Sequence, residues 1–130
     1  MPMESVWEND QRSILHTMYS GIWTWSELHH HNRTVVEPLL QASASPVAMI
    51  LNMSEAFWVM PGSVLQNLKR SILNYAHYDI DIIVFVSELD GVRALMETVH
   101  RRFGAKDRIY LVARTSEEAK EIIHQYRVGV

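Results

Sequence analysis

The sequence predicts an α/β domain built on a five-stranded mixed sheet, with elements in the order β-β-α-β-α-β-α-β-α. Three observations predict it. The runs Val47–Leu51 and Ile82–Val86 are continuously apolar, as strands covered on both faces are. Amphipathic helical stretches alternate with them, which implies a parallel sheet with right-handed crossovers. The first two strands are separated by only a short turn, so that pair is an antiparallel hairpin.

Ser5–Glu8 and Ile14–Ser20 read as the hairpin strands, with Asn9, Asp10 and Gln11 in the turn. Asn and Asp favour turns through local side-chain hydrogen bonds. In the second strand Ile14, His16, Met18 and Ser20 point one way and Leu15, Thr17 and Tyr19 the other, so both faces are partly apolar. Gly21 then punctuates the chain. Thr24 and Glu27 have the spacing of a reciprocal helix cap. The helix they open carries Trp25, Leu28, Val35, Val36, Leu39 and Leu40 near one stripe, interrupted by Asn32. It fades over Ala42–Ser45, and Pro46 blocks its continuation.

Val47–Met53 is the third strand, with a polar break at Asn52-Met53-Ser54 and then a loop of large residues, Phe57-Trp58-Val59-Met60. A second helix opens at Ser63, with Gln66 as cap partner and Leu65, Leu68, Ile72 and Ala76 as its stripe. Asp81–Val86 is the fourth strand. The third helix spans Asp90–Phe103, with Gly104 placed to end it. Ile109–Ala113 is the fifth strand. Thr115 and Glu118 cap a last helix with Ala119, Ile122, Ile123 and Tyr126 on one face.

Composition narrows the function classes. The chain has 130 residues, 48% of them hydrophobic, enough for one domain, residues 1–130, with a sizeable core. The net charge of −3, with signs mixed along the chain, argues against nucleic acid as a main partner. The absence of cysteine excludes disulfides, thiol catalysis and cysteine-ligated zinc, and fits a reducing compartment. Met1–Glu4 lacks the basic and apolar regions of a signal peptide, and no apolar run is long enough to span a bilayer, so a soluble cytoplasmic protein is expected.

Two places carry a likeness to a known family. The first is Gly21-Ile22-Trp23-Thr24-Trp25-Ser26-Glu27-Leu28. The second is Ile50-Leu51-Asn52-Met53-Ser54, followed by eight residues and a helix opening near Ser63. With the element order they resemble the STAS domain, named for sulfate transporters and anti-sigma-factor antagonists, in a divergent bacterial form. There a glycine ends the second strand, and a phosphorylated serine lies at the N-terminus of the helix after the third. The resemblance implies a right-handed β-α superhelix with strands in consecutive order and helices mainly on one face. The family's Asp-Ser-Ser-Gly segment corresponds here to Met60-Pro61-Gly62-Ser63, and Asn52 stands where aspartate is usual.

Ser63, and after it Ser54, are candidates for phosphorylation. A phosphoserine at a helix N-terminus adds roughly −1.5 to −2 charge where the dipole favours it, whereas an unmodified serine there is simply a cap. Trp23, Trp25, Phe57, Trp58 and Met60 follow two strand ends and are expected to converge, as a partner- or ligand-binding surface or as a plug at the end of the core. His29, His30 and His31 are adjacent on a helix and do not converge as metal ligands do; they read as a polar face. Asp79 and Asp81 sit at a strand N-terminus, the wrong end for a site in this architecture. Arg101, Arg102, Lys106 and Arg108 read as a solvated face.

No phosphate-binding loop, dinucleotide fingerprint or nucleophile elbow occurs. The expected function is a non-catalytic regulatory, protein-interaction module acting through the loop after the third strand and the helix beyond it. A kinase or anti-sigma-like regulator is the kind of partner implied, with homodimerisation open and no cofactor expected. A binding protein for a small apolar or lipid-like ligand is the alternative, and an enzyme the remotest reading.

Overall fold

The computed structural model describes residues 3–43, 46–57, 66–67, 69–71, 75, 78–103 and 109–129. Five strands, β1 (Met3–Trp7), β2 (Ile14–Ile22), β3 (Val47–Phe57), β4 (Ile80–Val86) and β5 (Ile109–Ala113), form one sheet in consecutive order. β1 and β2 are antiparallel, and the remaining pairs are parallel, as expected. The helices are α1 (Trp25–His31), α2 (Glu37–Gln41), α3 (Asp90–Phe103) and α4 (Ser116–Val128), with a π-helical turn, Asn32–Val36, joining α1 to α2. Residues 66–67 and 69–71 are helical. The predicted start of that helix at Ser63 and all four residues of its apolar stripe lie outside the described residues, as do Gly104, Lys106 and Arg108.

Strand alternation divides the core in two. On one face Leu15, Tyr19, Met49, Met53, Ile83, Phe85 and Tyr110 pack with Leu28, Val36 and Leu40 of the first helical run, with Tyr75 and with Met96 of α3. On the other, Ala48, Ile50, Ile82, Val84, Val86 and Ala113 pack against Ala119 and Ile123 of α4. The helices therefore lie mainly on one face. Alanines at 48, 113 and 119 leave room for α4 to sit close against the sheet. Arg127 fastens its last turn, donating to the Ser13 hydroxyl and carbonyl at 3.0 Å each and to the Pro46 carbonyl at 3.3 Å.

The hairpin differs from expectation at its edges. β1 starts at Met3 and stops at Trp7, and the Glu8 side chain accepts from His16 Nδ1 and pairs with Lys120 at 3.2 Å. Asn9 makes the turn as predicted, its side-chain oxygen accepting from the Ser13 N–H at 3.0 Å.

A larger correction concerns β2 and β3. The polar triplet Asn52-Met53-Ser54 does not break β3, which continues to Phe57 beside a β2 that continues to Ile22. Met18 pairs with Asn52 and Ser20 with Glu55, so Met53 and Ser54 together oppose Tyr19. That is a β-bulge, and it increases local twist. Asn52 Oδ1 stabilises it by accepting from the Ser54 N–H at 3.0 Å and the Ser54 hydroxyl at 2.7 Å. Gly21 takes φ +62 on the opposite strand, where a β-carbon would be strained. Phe57 is thus the last residue of a strand, opposite Ile22, and not part of a loop.

The first helix opens as predicted, with both halves of the Thr24/Glu27 cap formed. Asn32 does not interrupt its buried row; it belongs to it. Leu28, Asn32, Val36 and Leu40 are all buried at four-residue spacing. On an α-helix such a row drifts about 40° per step. The wider π turn takes up part of that drift. It also sits just before Pro38, whose ring would otherwise press on the carbonyl of residue 34.

Candidate functional site

An apolar pocket of about 40 Å³ lies between the sheet and the first helix, toward the C-terminal ends of the parallel strands. That is where open α/β sheets bind ligands. Its floor is Tyr19 of β2, Leu51 and Met53 of β3, Ile83 and Phe85 of β4 and Tyr110 of β5. Trp23, Trp25, Leu28 and Asn32 form the opposite wall, and Ser71 and Tyr75 close a third side.

Local sequence explains how each wall is set. The bulge and Gly21 re-aim the end of β2, and the Thr24 cap turns the chain into α1, which brings two tryptophans together. Trp23 is buried and meets Trp25 edge-on, ring centroids 5.0 Å apart at 87°, with Tyr19 5.8 Å behind it. This edge-to-face arrangement suits the ring quadrupoles. Phe85 and Tyr110 stack at 19° and 6.5 Å. Asn32, 2% exposed, is the polar member of the helical wall. Its Oδ1 accepts from the Tyr75 hydroxyl. Burial pushes that hydroxyl well above the usual tyrosine range, so it stays protonated and donating.

Of the predicted site residues, Trp23 and Trp25 line this pocket. Phe57 ends β3 beside Ile22. Trp58, Met60 and Ser63 lie outside the described residues. Ser54 is exposed on the β3 extension, bonded to Asn52. Sequence reasoning misses Tyr19, Leu51, Asn32, Tyr75 and Tyr110 as site residues. Each reads as an ordinary core or turn position, and only the pairing of distant strands gathers them.

The histidines do not form a polar face. His30 is exposed, but His29 and His31 are buried and reach opposite ways. His29 donates Nε2–H to Asn67 Oδ1 at 2.8 Å, and His31 Nε2 lies 2.8 Å from the hydroxyl of Ser5, itself 2.7 Å from that of Thr17. Two rings thus fasten α1, and with it one wall of the pocket, to its neighbours on both sides. Among the described residues no three His, Asp or Glu side chains gather as metal ligands would. Asp81 faces Arg127 at 3.5 Å at the opposite end of the sheet, and Arg101 and Arg102 are exposed.

Burial, and then the charge of neighbouring His30, hold the His31 ring below its ordinary value of 6.5. Around it β1 and β2 present Met3, Ser5, Trp7, Thr17 and Tyr19, all neutral, and the cations His30 and Arg33 are on its own helical run. A depressed histidine contributes stability that is full above pH 6.5 and is lost as pH falls toward the folded value. Glu8 titrates in a separate window. Burial raises its pKa, but hydrogen bonds from His16 and Lys120 outweigh that and bring it below 4.5. Its contribution is therefore lost only as pH falls through that lower value. Urea titrations are expected to show stability declining between pH 7 and pH 5, with a shallower slope in His31→Gln. An identical slope in the variant would remove His31 as its source.

No family model matches the sequence, and no curated protein matches it. Among solved structures it is similar to an uncharacterized protein of the DUF3478 family from Shewanella loihica PV-4, described as having a SpoIIAA-like fold. Identity is 11%, the TM-score is 0.68, and 92% of each chain is covered. Likeness at that identity establishes architecture alone. Consecutive strand order, one antiparallel edge and helices gathered chiefly on one face give this chain the SpoIIAA-like fold, the fold of the anti-sigma-factor antagonists expected from Gly21–Leu28 and Ile50–Ser54.

Proposed function

We propose that the protein is a non-catalytic regulatory module of the bacterial cytoplasm that meets a protein partner through the C-terminal rim of its sheet. The observation that carries this reading is the paired extension of β2 and β3. Beyond the bulge it presents Ser54 and Glu55 to solvent and ends at Ile22, 71% exposed, opposite Phe57. An exposed apolar residue beside a bulged ribbon, directly before Trp58 and the segment leading to Ser63, is a surface suited to a partner. Phosphorylation of Ser54 would place about −1.5 to −2 charge at that surface and repel an acidic or apolar partner, and Ser63 is proposed as a further phosphorylation site. A kinase or anti-sigma-like protein fits this scheme, and so does a second copy of the chain. Among the described residues no helix is long and apolar enough to cross a membrane.

The test compares wild type with a Trp58→Ala, Ser63→Glu double variant, both shown folded by circular dichroism, as baits in cells that make the protein. The variant is expected to recover at least tenfold less partner than wild type. Equal recovery would overturn the rim as the binding surface.

The pocket favours a second reading, a binding protein for a small apolar ligand. Its walls are mostly aromatic and aliphatic, and no charged side chain is among the twelve described residues that line it. Protein isolated from its source cells would then carry added mass in native mass spectrometry.

A further inference from the structure

The walls of the pocket carry two residues with N–H donors that no described residue satisfies. Trp25 Nε1 is buried without an acceptor. Asn32 uses its carbonyl oxygen on Tyr75, and no described residue accepts from its amide N–H, although the residue is only 2% exposed. Buried donors are almost always paired, with protein or with something bound. Two other polar groups around the pocket are already engaged as donors: the Tyr75 hydroxyl on Asn32, and the Ser71 hydroxyl on the Asn67 carbonyl at 3.2 Å.

We propose that this pocket takes a neutral apolar molecule bearing one hydrogen-bond-accepting oxygen, a ketone, ester or amide carbonyl, received by Asn32 and Trp25. The inference rests on the second reading above and deepens it. An acceptor is required because the Trp25 and Asn32 N–H groups can only donate, and the Tyr19 hydroxyl, which also lines the pocket with no described partner, can donate as well. The ligand is neutral because among the described residues no cation lines the pocket to stabilise an anion, and no carboxylate a cation. Its body is flat or slim. The walls are ring faces, and 40 Å³ holds roughly three to four water-sized spheres at 10–15 Å³ each.

Three probes of four heavy atoms each fit that space and separate these requirements: acetone, its near-isostere 2-methylpropene, which lacks the acceptor, and acetate, which is charged. Each is titrated into the full chain while the tryptophan indole N–H resonances are followed by NMR. Acetone is expected to bind at least tenfold more tightly than 2-methylpropene and to move the Trp25 indole proton downfield, with acetate not competing. Trp25→Phe, which keeps a ring but removes the N–H, is expected to shrink the preference for acetone. Asn32→Leu is expected to do the same, and Trp25→Phe carries the test if that variant does not fold. Equal binding of 2-methylpropene, or tighter binding of acetate, would overturn the proposal while leaving an apolar-ligand site standing. Binding of none of the three would overturn both.

Discussion

Ile50→Ala is expected to lower the unfolding free energy by about 2–5 kcal/mol, the range for truncating a buried isoleucine. The upper half of that range is expected here. Ile50 has no exposure and lies mid-way along the central strand, paired with His16 of β2 and Val84 of β4. Its side chain faces α4, the helix whose Ala119 and Ile123 complete that layer of the core. Collapse into the space left behind would need α4 to move. Arg127 holds its end to Ser13 and Pro46, and Lys120 holds its middle to Glu8. Denaturant unfolding measures the loss as a lower midpoint at unchanged slope. Ile22→Ala is the matching control, because an isoleucine 71% exposed has little burial to lose, and a change within about 0.5 kcal/mol is expected. Equal losses at positions 22 and 50 would mean that the second core layer does not contribute as packed.

Strands and helices signalled by local chemistry were legible in the sequence. β4 and β5 are plain in it, because short apolar runs between helical stretches leave few other readings. Thr24 with Glu27, and Thr115 with Glu118, mark helix starts within four residues, and both threonines accept from the glutamate N–H as predicted. What escaped depends on residues far apart in the chain. Asn52 and Ser54 are polar and read as a strand end, yet β2 supplies a partner that carries β3 past them. His29 and His31 look like a solvated face because their partners, Asn67 and Ser5, lie 38 and 26 residues away. The π turn did leave a trace: Pro38 inside a helical stretch, and an apolar row at a spacing of four that an ideal α-helix cannot keep on one side. For the site, Trp23 and Trp25 are two of the five residues expected to converge with Phe57, Trp58 and Met60, and both line the pocket, whereas Tyr19, Tyr75 and Tyr110 carry no local mark that separates a pocket lining from filled core.

Asn32→Asp is expected to be the most pH-dependent of simple substitutions in this protein. It changes an amide to a carboxylate with almost no change in shape, in a pocket wall where no charged side chain lies among the described residues. An uncompensated buried charge costs about 3–5 kcal/mol. At about 1.36 kcal/mol per pKa unit, that corresponds to a shift of roughly two to four units above the ordinary aspartate value of about 3.9. A carboxyl whose folded pKa is raised is destabilising above that pKa, and the deficit shrinks as pH falls toward 3.9, because the folded state then binds the proton more tightly than the unfolded chain. The protonated acid keeps a carbonyl oxygen for Tyr75, so the variant should approach wild-type stability near pH 4. Asn32→Leu behaves differently. It strands the Tyr75 hydroxyl at a cost of about 1–3 kcal/mol that does not vary with pH below the tyrosine range. Unfolding curves for the three proteins between pH 4 and pH 8 separate the cases: a widening gap for Asn32→Asp, a constant one for Asn32→Leu. A wild-type-like Asn32→Asp at pH 8 would mean that water reaches position 32, and the dry, donor-lined pocket would have to be abandoned.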